Sequence, residues 1–207
     1  MEQNQYTKYI KKSIEDSYLV KNSQESWNIL LKGKHLTLSA RPYNNSEKKI
    51  LKIQGSIPAS INQCVNYFFN NNESIKNNRE QCEAFDLLEE VDQNTKVTVF
   101  KLKQMKDGAK RESLNVRHKS NISEKEVLII NAHLDEHQKL PKMQDVIRIE
   151  TIINGIFLSE STPNSTLIEG YFLNDPKVAF PPQLIPQFTE NFLQSYEKDV
   201  EAILKKI

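Results

Sequence analysis

The sequence has few glycines, few cysteines and no catalytic or nucleotide-binding motif. Five glycines in 207 residues make the glycine-rich loops that hold phosphates improbable, and G-x-S-x-G, P-loop and G-x-G-x-x-G patterns are absent. The four histidines lack the spacing of a metal site. Because no set of acid, base and nucleophile is visible, we expect a protein that is not an enzyme and that uses no cofactor or metal.

Three further features of the sequence limit the class of protein that we expect. They are its cysteines, its net charge and its lack of long apolar runs. Cys64 and Cys82 have no CxxC spacing, and a chain of 24.0 kDa needs no disulfide, so we expect free thiols in a reducing compartment. The net charge of +1 does not favour a nucleic-acid partner. Since we see neither a signal segment nor a run of about 20 apolar residues, we expect a cytoplasmic monomer.

Apolar spacing predicts three helical segments. The first covers residues 1–32, includes Trp27, Leu30 and Leu31 as a second set of turns, and ends at Gly33. The second begins with Ser60 as its N-cap and ends in the polar stretch 70–74, interpreted as a solvated loop. The third closes the chain. Its apolar face contains Ile185, Phe188, Phe192, Tyr196, Val200, Ile203 and Ile207.

The chain between residues 34 and 173 is rich in strand patterns. Residues 35–41 and 49–54 alternate around a turn and predict a hairpin. Six further strands follow with short connections, at 84–91, 96–103, 112–118, 126–134, 145–159 and 165–173. Short connections imply an antiparallel sheet, so the fold class is α+β with one sheet. The last helix must bury its apolar face against that sheet, and a sheet gripping a helix can enclose a cavity for a ligand.

Several motifs, taken in order, resemble the START family (steroidogenic acute regulatory protein-related lipid transfer domains). They lie at 26–42, with Trp27 and an Arg-Pro turn, and at 52–60, 111–117, 146–155 and 174–177, the last followed by Pro181 or Pro182. The resemblance covers residues 26–207 and leaves 1–25 as an N-terminal helical extension. It implies a helix-grip fold, in which a curved antiparallel sheet wraps around a long C-terminal helix and encloses a hydrophobic tunnel.

The sequence departs from the family pattern at three places. The Arg-x-x-Trp-Asp motif after the second helix is missing, and residues 75–79 stand there. The glycine of the Asp-x-Lys-Gly motif is Val178. Sterol-binding members carry an acid opposite the pocket arginine, whereas the corresponding strand here, 97–102, offers none. This last departure argues against a sterol ligand and leaves the fold untouched.

The resemblance implies that Arg117 points into the tunnel and meets the polar head of a lipid. A carboxylate or phosphate would satisfy the guanidinium through bidentate bonds. Alternation of the residues argues for the opposite, because Leu114 and Val116 form the apolar face that should be the core, which leaves Arg117 on the surface. The other expected ligand-binding residues are Asn115, His133, Ile149, Thr151, Phe188, Phe192 and Tyr196. Ile147, Ile149, Thr151 and Ile153 would share one strand face in the sheet wall, and an ordinary packed core is the alternative to a tunnel.

A loop between two strands would cap the tunnel entrance, as in the family. Lys139, Leu140, Lys142 and Met143 alternate basic and apolar character, which suits brief contact with a membrane surface; a plain solvated loop is the alternative. The function expected from the resemblance is a carrier that binds a single lipid and moves it between membranes. Its partners would be the lipid and, transiently, a membrane surface. A lipid-sensing module and, less favoured, a helix-grip enzyme are the alternatives.

Overall fold

The computed structural model of the protein describes residues 5–44, 46, 48–104, 108–177, 183 and 185–205. Its helices are α1 (Thr7–Lys21), α2 (Ile61–Asn70), α3 (Asn72–Asn77) and α4 (Ile185–Leu204). Its strands are β1 (Asn28–Lys32), β2 (Leu36–Pro42), β3 (Lys49–Ile57), β4 (Cys82–Asp92), β5 (Thr95–Leu102), β6 (Lys110–Ser123), β7 (Glu126–His133), β8 (Val146–Arg148), β9 (Glu150–Thr162) and β10 (Ser165–Asp175).

The strands form one sheet in the order β1-β2-β3-β10-β9-β7-β6-β5-β4, and β8 pairs with β6 outside this path. Every pairing along the path is antiparallel, and only the short β8 is parallel to its neighbour. The predicted α+β class and the helix-grip arrangement of one large sheet with a C-terminal helix are therefore confirmed.

The second helix begins as its sequence predicts. The Ser60 hydroxyl accepts a hydrogen bond from the Gln63 N–H at 3.4 Å, and the Gln63 side chain accepts one from the Ser60 N–H at 2.9 Å. This capping box satisfies two donors that a helix start leaves without partners. The prediction that Ser60 is the N-cap is confirmed.

The predicted N-terminal helix is too long. The helix α1 ends at Lys21, and residues Asn28–Lys32 form β1 at the edge of the sheet. The Gly33 N–H donates to the Leu36 carbonyl at 2.8 Å, which closes a tight turn that pairs β1 with β2. Strand pairing therefore overrides the weak helical spacing around Trp27.

Two connections also differ from the prediction. The polar stretch after α2 contains α3 rather than a loop alone, because the Asn71 side chain accepts from the Ser74 N–H and caps this short helix. The single strand predicted at 145–159 is divided at Ile149, whose N–H donates to the Glu112 carbonyl at 2.8 Å. The turn predicted at Lys106 and Asp107 lies outside the described residues, as do Val178, Pro181, Pro182 and Ile207.

The sheet has a buried core on each face. On the inner face, α2, α3 and α4 cover a cluster that includes Leu38, Ile53, Phe68 and Phe172. On the outer face, α1 covers a second cluster, which contains Val97, Val99, Leu114, Val116, Ile130, Ile153, Phe157 and Tyr171. The strands in the centre of the sheet are consequently buried on both sides. No helix in the described ranges has both the length and the apolar composition needed to cross a bilayer.

The C-terminal half of α4 is anchored to the turn between β1 and β2. The Glu197 carboxylate accepts hydrogen bonds from the backbone N–H groups of His35, at 3.0 Å, and Leu36, at 2.8 Å. A Cβ atom on Gly33 would lie only 2.1 Å from a Glu197 carboxylate oxygen. A side chain at position 33 would therefore displace the Glu197 carboxylate from these two hydrogen bonds.

Candidate functional site

The strand register places Arg117 in a row of side chains that crosses the inner face. Residues directly opposite each other in an antiparallel pair point to the same face. Arg117 is paired with Lys96 on β5 and with Asn131 on β7. The Asn131 amide donates to Asn154 at 3.0 Å, and Asn154 is paired with Phe172. Since Phe172 contacts α4, the whole row faces the space between the sheet and this helix.

The apolar and polar residues that alternate along β6 are both buried, whereas the sequence pattern predicts that only the apolar face is buried. Leu114 and Val116 are fully buried in the outer core, whereas Asn115 and Arg117 are buried on the inner face, with 7% and 4% of their surface exposed. The argument that only the apolar face is buried is wrong because α1 adds a second layer. Both faces of this strand lie inside the protein.

Arg117 carries a buried charge without a counter-ion among the described residues. Its Nη1 donates to Asn72 Oδ1 at 3.4 Å, and its guanidinium lies 5.3 Å from the centre of the Phe85 ring. The Nε atom is buried and has no hydrogen-bond partner. Burial lowers the pKa of Arg117 to about 10, so the group is protonated at neutral pH. A buried cation in this state favours an acceptor that is anionic.

A nearby carboxylate, Asp199 of α4, is already neutralised. It is fully buried and accepts hydrogen bonds from Arg79 at 2.5 Å, Tyr67 at 2.8 Å and Asn78 at 2.9 Å. Although burial opposes the charged form, the charge of Asp199 raises the pKa of Arg79. Asp199 is therefore committed to Arg79. The sequence analysis did not identify this hydrogen-bonded group around Asp199, although Asp199 lies on the apolar stripe of α4, three residues after Tyr196.

Other polar groups share the inner face with Arg117. Asn115 donates to the Ser113 hydroxyl at 2.9 Å, and this hydroxyl lies 3.1 Å from that of Thr151. The Asn115 Oδ1 atom has no partner. His133 stands opposite Asn115 in the register; its Nδ1 is buried without a partner, and burial lowers the pKa of its imidazole, although Asp135 opposes the shift. The structure thus brings Asn115, His133 and Thr151 together with Arg117.

The isoleucines expected beside Thr151 do not share one face. Ile149 is buried but lies between β8 and β9. The register of β9 against β10 shifts between Thr151 and Ile153, and Ile153 joins the core under α1. The expected common wall is wrong at Ile153, because the irregular register turns this side chain to the outer face.

Four aromatic side chains form an apolar surface where α4 faces the sheet. The ring centroids of Phe172 lie 5.4 Å from Phe192 and 5.2 Å from Tyr196, and Phe188 lies 6.4 Å from Phe192. Exposure falls along the helix from 49% at Phe188 to 8% at Tyr196. The apolar face of α4 is therefore closed at its C-terminal half and accessible near its beginning.

The loop expected to contact membranes divides into two parts. Leu140 packs against the outer core, and the Lys139 ammonium donates to the Leu88 carbonyl at 2.7 Å. Lys142 and Met143 are exposed, and together with His133, Arg148 and Lys177 they line a cleft of about 530 Å³. His133, which also belongs to the inner face, therefore borders this cleft. Within the described part of the chain, no group of His, Cys, Asp and Glu residues is placed to hold a metal ion.

Comparisons with known proteins agree with this geometry. A family model described as "START domain" matches residues 13–206. Human StAR-related lipid transfer protein 5 is similar in structure, with a TM-score of 0.80, 14% identity and coverage of 97% of this chain and 98% of that chain. Human STARD10 has a TM-score of 0.74 and 17% identity, over 92% of this chain and 79% of that chain. No curated protein matches the chain. At these identities the structural likeness shows the fold.

Proposed function

We propose, because the chain belongs to the START domain family, that it binds a single lipid between the sheet and α4 and carries it between membranes. The observation that supports the proposal most is Arg117, a buried cation whose Nε has no partner. A protein that kept this charge for stability alone would be expected to pair it. An anionic or acceptor-rich lipid headgroup would supply the missing partner, and a phosphate fits the guanidinium fork.

At its far end from Arg117, the row of side chains on the inner face reaches Phe172 and the aromatic face of α4, which suit an acyl chain. Phe172, Phe192 and Tyr196 offer apolar surface, and Phe188 is half exposed at the beginning of α4. Each methylene removed from water contributes about 0.8 kcal/mol, so an acyl chain of common length resists entering water by on the order of 10 kcal/mol. An enclosed apolar path can offset this cost during transfer, and such a carrier requires no catalytic group.

The experiment that tests the proposal is native mass spectrometry of the purified protein, followed by extraction and identification of the bound lipid. We expect one lipid per chain. Stoichiometric lipid without transfer between liposomes would favour a lipid-sensing module instead. A protein that is empty and also takes up no lipid from mixed liposomes would contradict lipid binding and favour a packed core with a partner-binding role.

Membrane contact by Met143 is part of the proposal. Met143 is 50% exposed beside Lys142 at the cleft, so an ammonium can reach headgroups while the thioether enters the lipid. We expect Met143→Asp to slow transfer between liposomes about fivefold, since a half-exposed methionine gains about 1 kcal/mol on burial. The control is Leu19→Asp, at a side chain of α1 that is 72% exposed. Equal rates for the two variants would exclude this contact; Leu140 is unsuitable because it packs against the core.

We further propose that residues 1–25 are an N-terminal helical extension of a domain that spans residues 26–207. Its role would be to cover the outer face of the sheet, where Val20 and Tyr18 pack against Phe157 and its neighbours. Cytoplasmic location is also a proposal, supported by Cys64 and Cys82, which are both buried and unpaired, as suits a reducing compartment.

A further inference from the structure

We propose that the corner beneath the junction of α2 and α3 is an anion subsite for a phosphate monoester, formed by Lys96, Arg117 and Lys119. The inference rests on the proposed function and deepens it, because it assigns to the carried lipid a headgroup that ends in a phosphate monoester. A soluble phosphate monoester has the same chemistry, and the experiment below separates the two sources.

The strand register and one aromatic ring bring the three cations together. Lys96 stands opposite Arg117 on β5, and Lys119 follows Arg117 by two residues on β6, so all three point to the inner face. The ammonium groups of Lys96 and Lys119 lie over the same ring, that of Phe69, at 4.8 and 5.4 Å from its centre. Arg117 reaches Asn72 at the first residue of α3.

The described acidic side chains do not neutralise the three cations of the cluster. Among the described residues, Lys96 forms an ion pair with Glu90, whose carboxylate lies 4.0 Å from the ammonium and whose side chain is 63% exposed. Neither Arg117 nor Lys119 forms an ion pair with a described residue, and Asp199 is neutralised by Arg79. The Lys96 ammonium also donates a hydrogen bond of 2.8 Å to the neutral side chain of Asn70. Burial lowers the pKa of Lys96; Glu90 opposes the shift, and Arg117 and Lys119 add to it.

This arrangement matches a doubly charged anion better than a singly charged one. A phosphate monoester carries about −1.5 to −2 charges at neutral pH and offers three acceptor oxygens, enough for the guanidinium fork and both ammonium groups. A phosphodiester or a carboxylate has one charge and leaves a cation unmatched. A zwitterionic headgroup brings a further cation toward the cluster. We therefore expect the order monoester, anionic diester, zwitterion.

The experiment measures which lipid the full-length protein takes from vesicles. The protein is incubated with phosphatidylcholine vesicles that contain equal fractions of dioleoyl phosphatidic acid and dioleoyl phosphatidylglycerol, and the loaded complexes are quantified by native mass spectrometry. We expect a preference for phosphatidic acid of about tenfold, which corresponds to about 1.4 kcal/mol, because the monoester brings an additional negative charge to the two ammonium groups. The preference should weaken as the pH falls below the second pKa of a phosphate monoester, about 6.

The variants separate the subsite from lipid binding in general. Lys96→Met with Lys119→Met should abolish the preference while both lipids still load through Arg117. The matched control is Lys101→Met with Lys125→Met. Lys101 lies on the other face of β5, and the Lys125 side chain is 74% exposed. If the double variant does not fold, judged by thermal unfolding, the single Lys119→Met at a half-buried position takes its place. Equal loading of the two lipids by the wild type, or a preference that survives in the variant, overturns the subsite and leaves the carrier intact.

Failure of lipid loading from every vesicle overturns the carrier instead. In that case calorimetry with glycerol 3-phosphate decides the origin of the anion. Binding by the wild type and not by the variant supports the subsite for a soluble phosphate monoester. An absence of binding overturns the subsite as well.

Discussion

Replacing Asp199 by alanine is expected to lower the free energy of unfolding by about 3–5 kcal/mol, the cost of breaking a buried ion pair from one side. Asp199 is fully buried and accepts hydrogen bonds from Arg79, Tyr67 and Asn78. Its removal leaves the largely buried Arg79 guanidinium without a counter-ion and in the repulsive field of Arg117. The same change also leaves the Tyr67 hydroxyl without its acceptor.

Urea unfolding of the ligand-free protein measures the effect. The control is Asp86→Ala, because Asp86 also pairs with a basic residue, at 3.7 Å from Lys101, but its side chain is 52% exposed; such surface pairs contribute about 0–1 kcal/mol. Asp199→Asn, which keeps the shape and one acceptor, should lie between the two. A loss of less than about 1 kcal/mol for Asp199→Ala would show that the hydrogen-bonded group around Asp199 does not hold α4 to α2 and α3.

The path of the strands and the last helix could be predicted from the sequence because each has a strong local pattern. Alternation marked β2 and β3 as a hairpin, and the 3.6-residue spacing of Phe188, Phe192 and Tyr196 marked α4. At the beginning of the chain, the spacing of Trp27, Leu30 and Leu31 predicts a helix, whereas the structure has β1 at Asn28–Lys32. These residues form a strand because they pair with β2, and local propensity does not report this pairing.

The candidate site was less predictable, because it depends on which residues of different strands stand opposite each other. Arg117 and Lys96 are neighbours only through the register of β6 against β5, and no local pattern reports it. Alternation alone placed Arg117 outside because it assumes one buried face per strand. The resemblance to START domains implied the inner position, where the structure places this arginine.

The sequence pattern of the last helix contains a signal for the buried position of Asp199. This residue follows Phe192 and Tyr196 at seven and three residues, and Ile203 lies four residues beyond it, so it occupies the same helical stripe. A carboxylate within an apolar stripe requires a buried partner. The identity of that partner, Arg79, could not be predicted, because it comes from a distant segment where the sequence departs from the family motif.

The second expected result concerns Arg117. Unlike Asp199→Ala, its replacement should not lower the free energy of unfolding. Arg117→Met should decrease the loading of dioleoyl phosphatidic acid about a hundredfold, since truncating one side of a buried charged pair costs about 2–5 kcal/mol. The unfolding free energy of the ligand-free protein should remain equal or rise, because the variant removes a buried charge that has no counter-ion among the described residues. Native mass spectrometry measures the loading, and urea unfolding measures the stability.

Arg79→Met is the matched control for this prediction. Arg117 is buried, and the Arg79 side chain beside Tyr196 is only 17% exposed. The charge of Arg79 acts on Arg117, but only Arg79 has a carboxylate partner among the described residues. Its removal should therefore destabilise the protein by about 3–5 kcal/mol by leaving Asp199 unpaired. If Arg117→Met destabilises the ligand-free protein as much as Arg79→Met does, Arg117 is a structural residue with a partner in the protein itself. If instead stability is kept and only lipid loading is lost, the partner of Arg117 is the ligand.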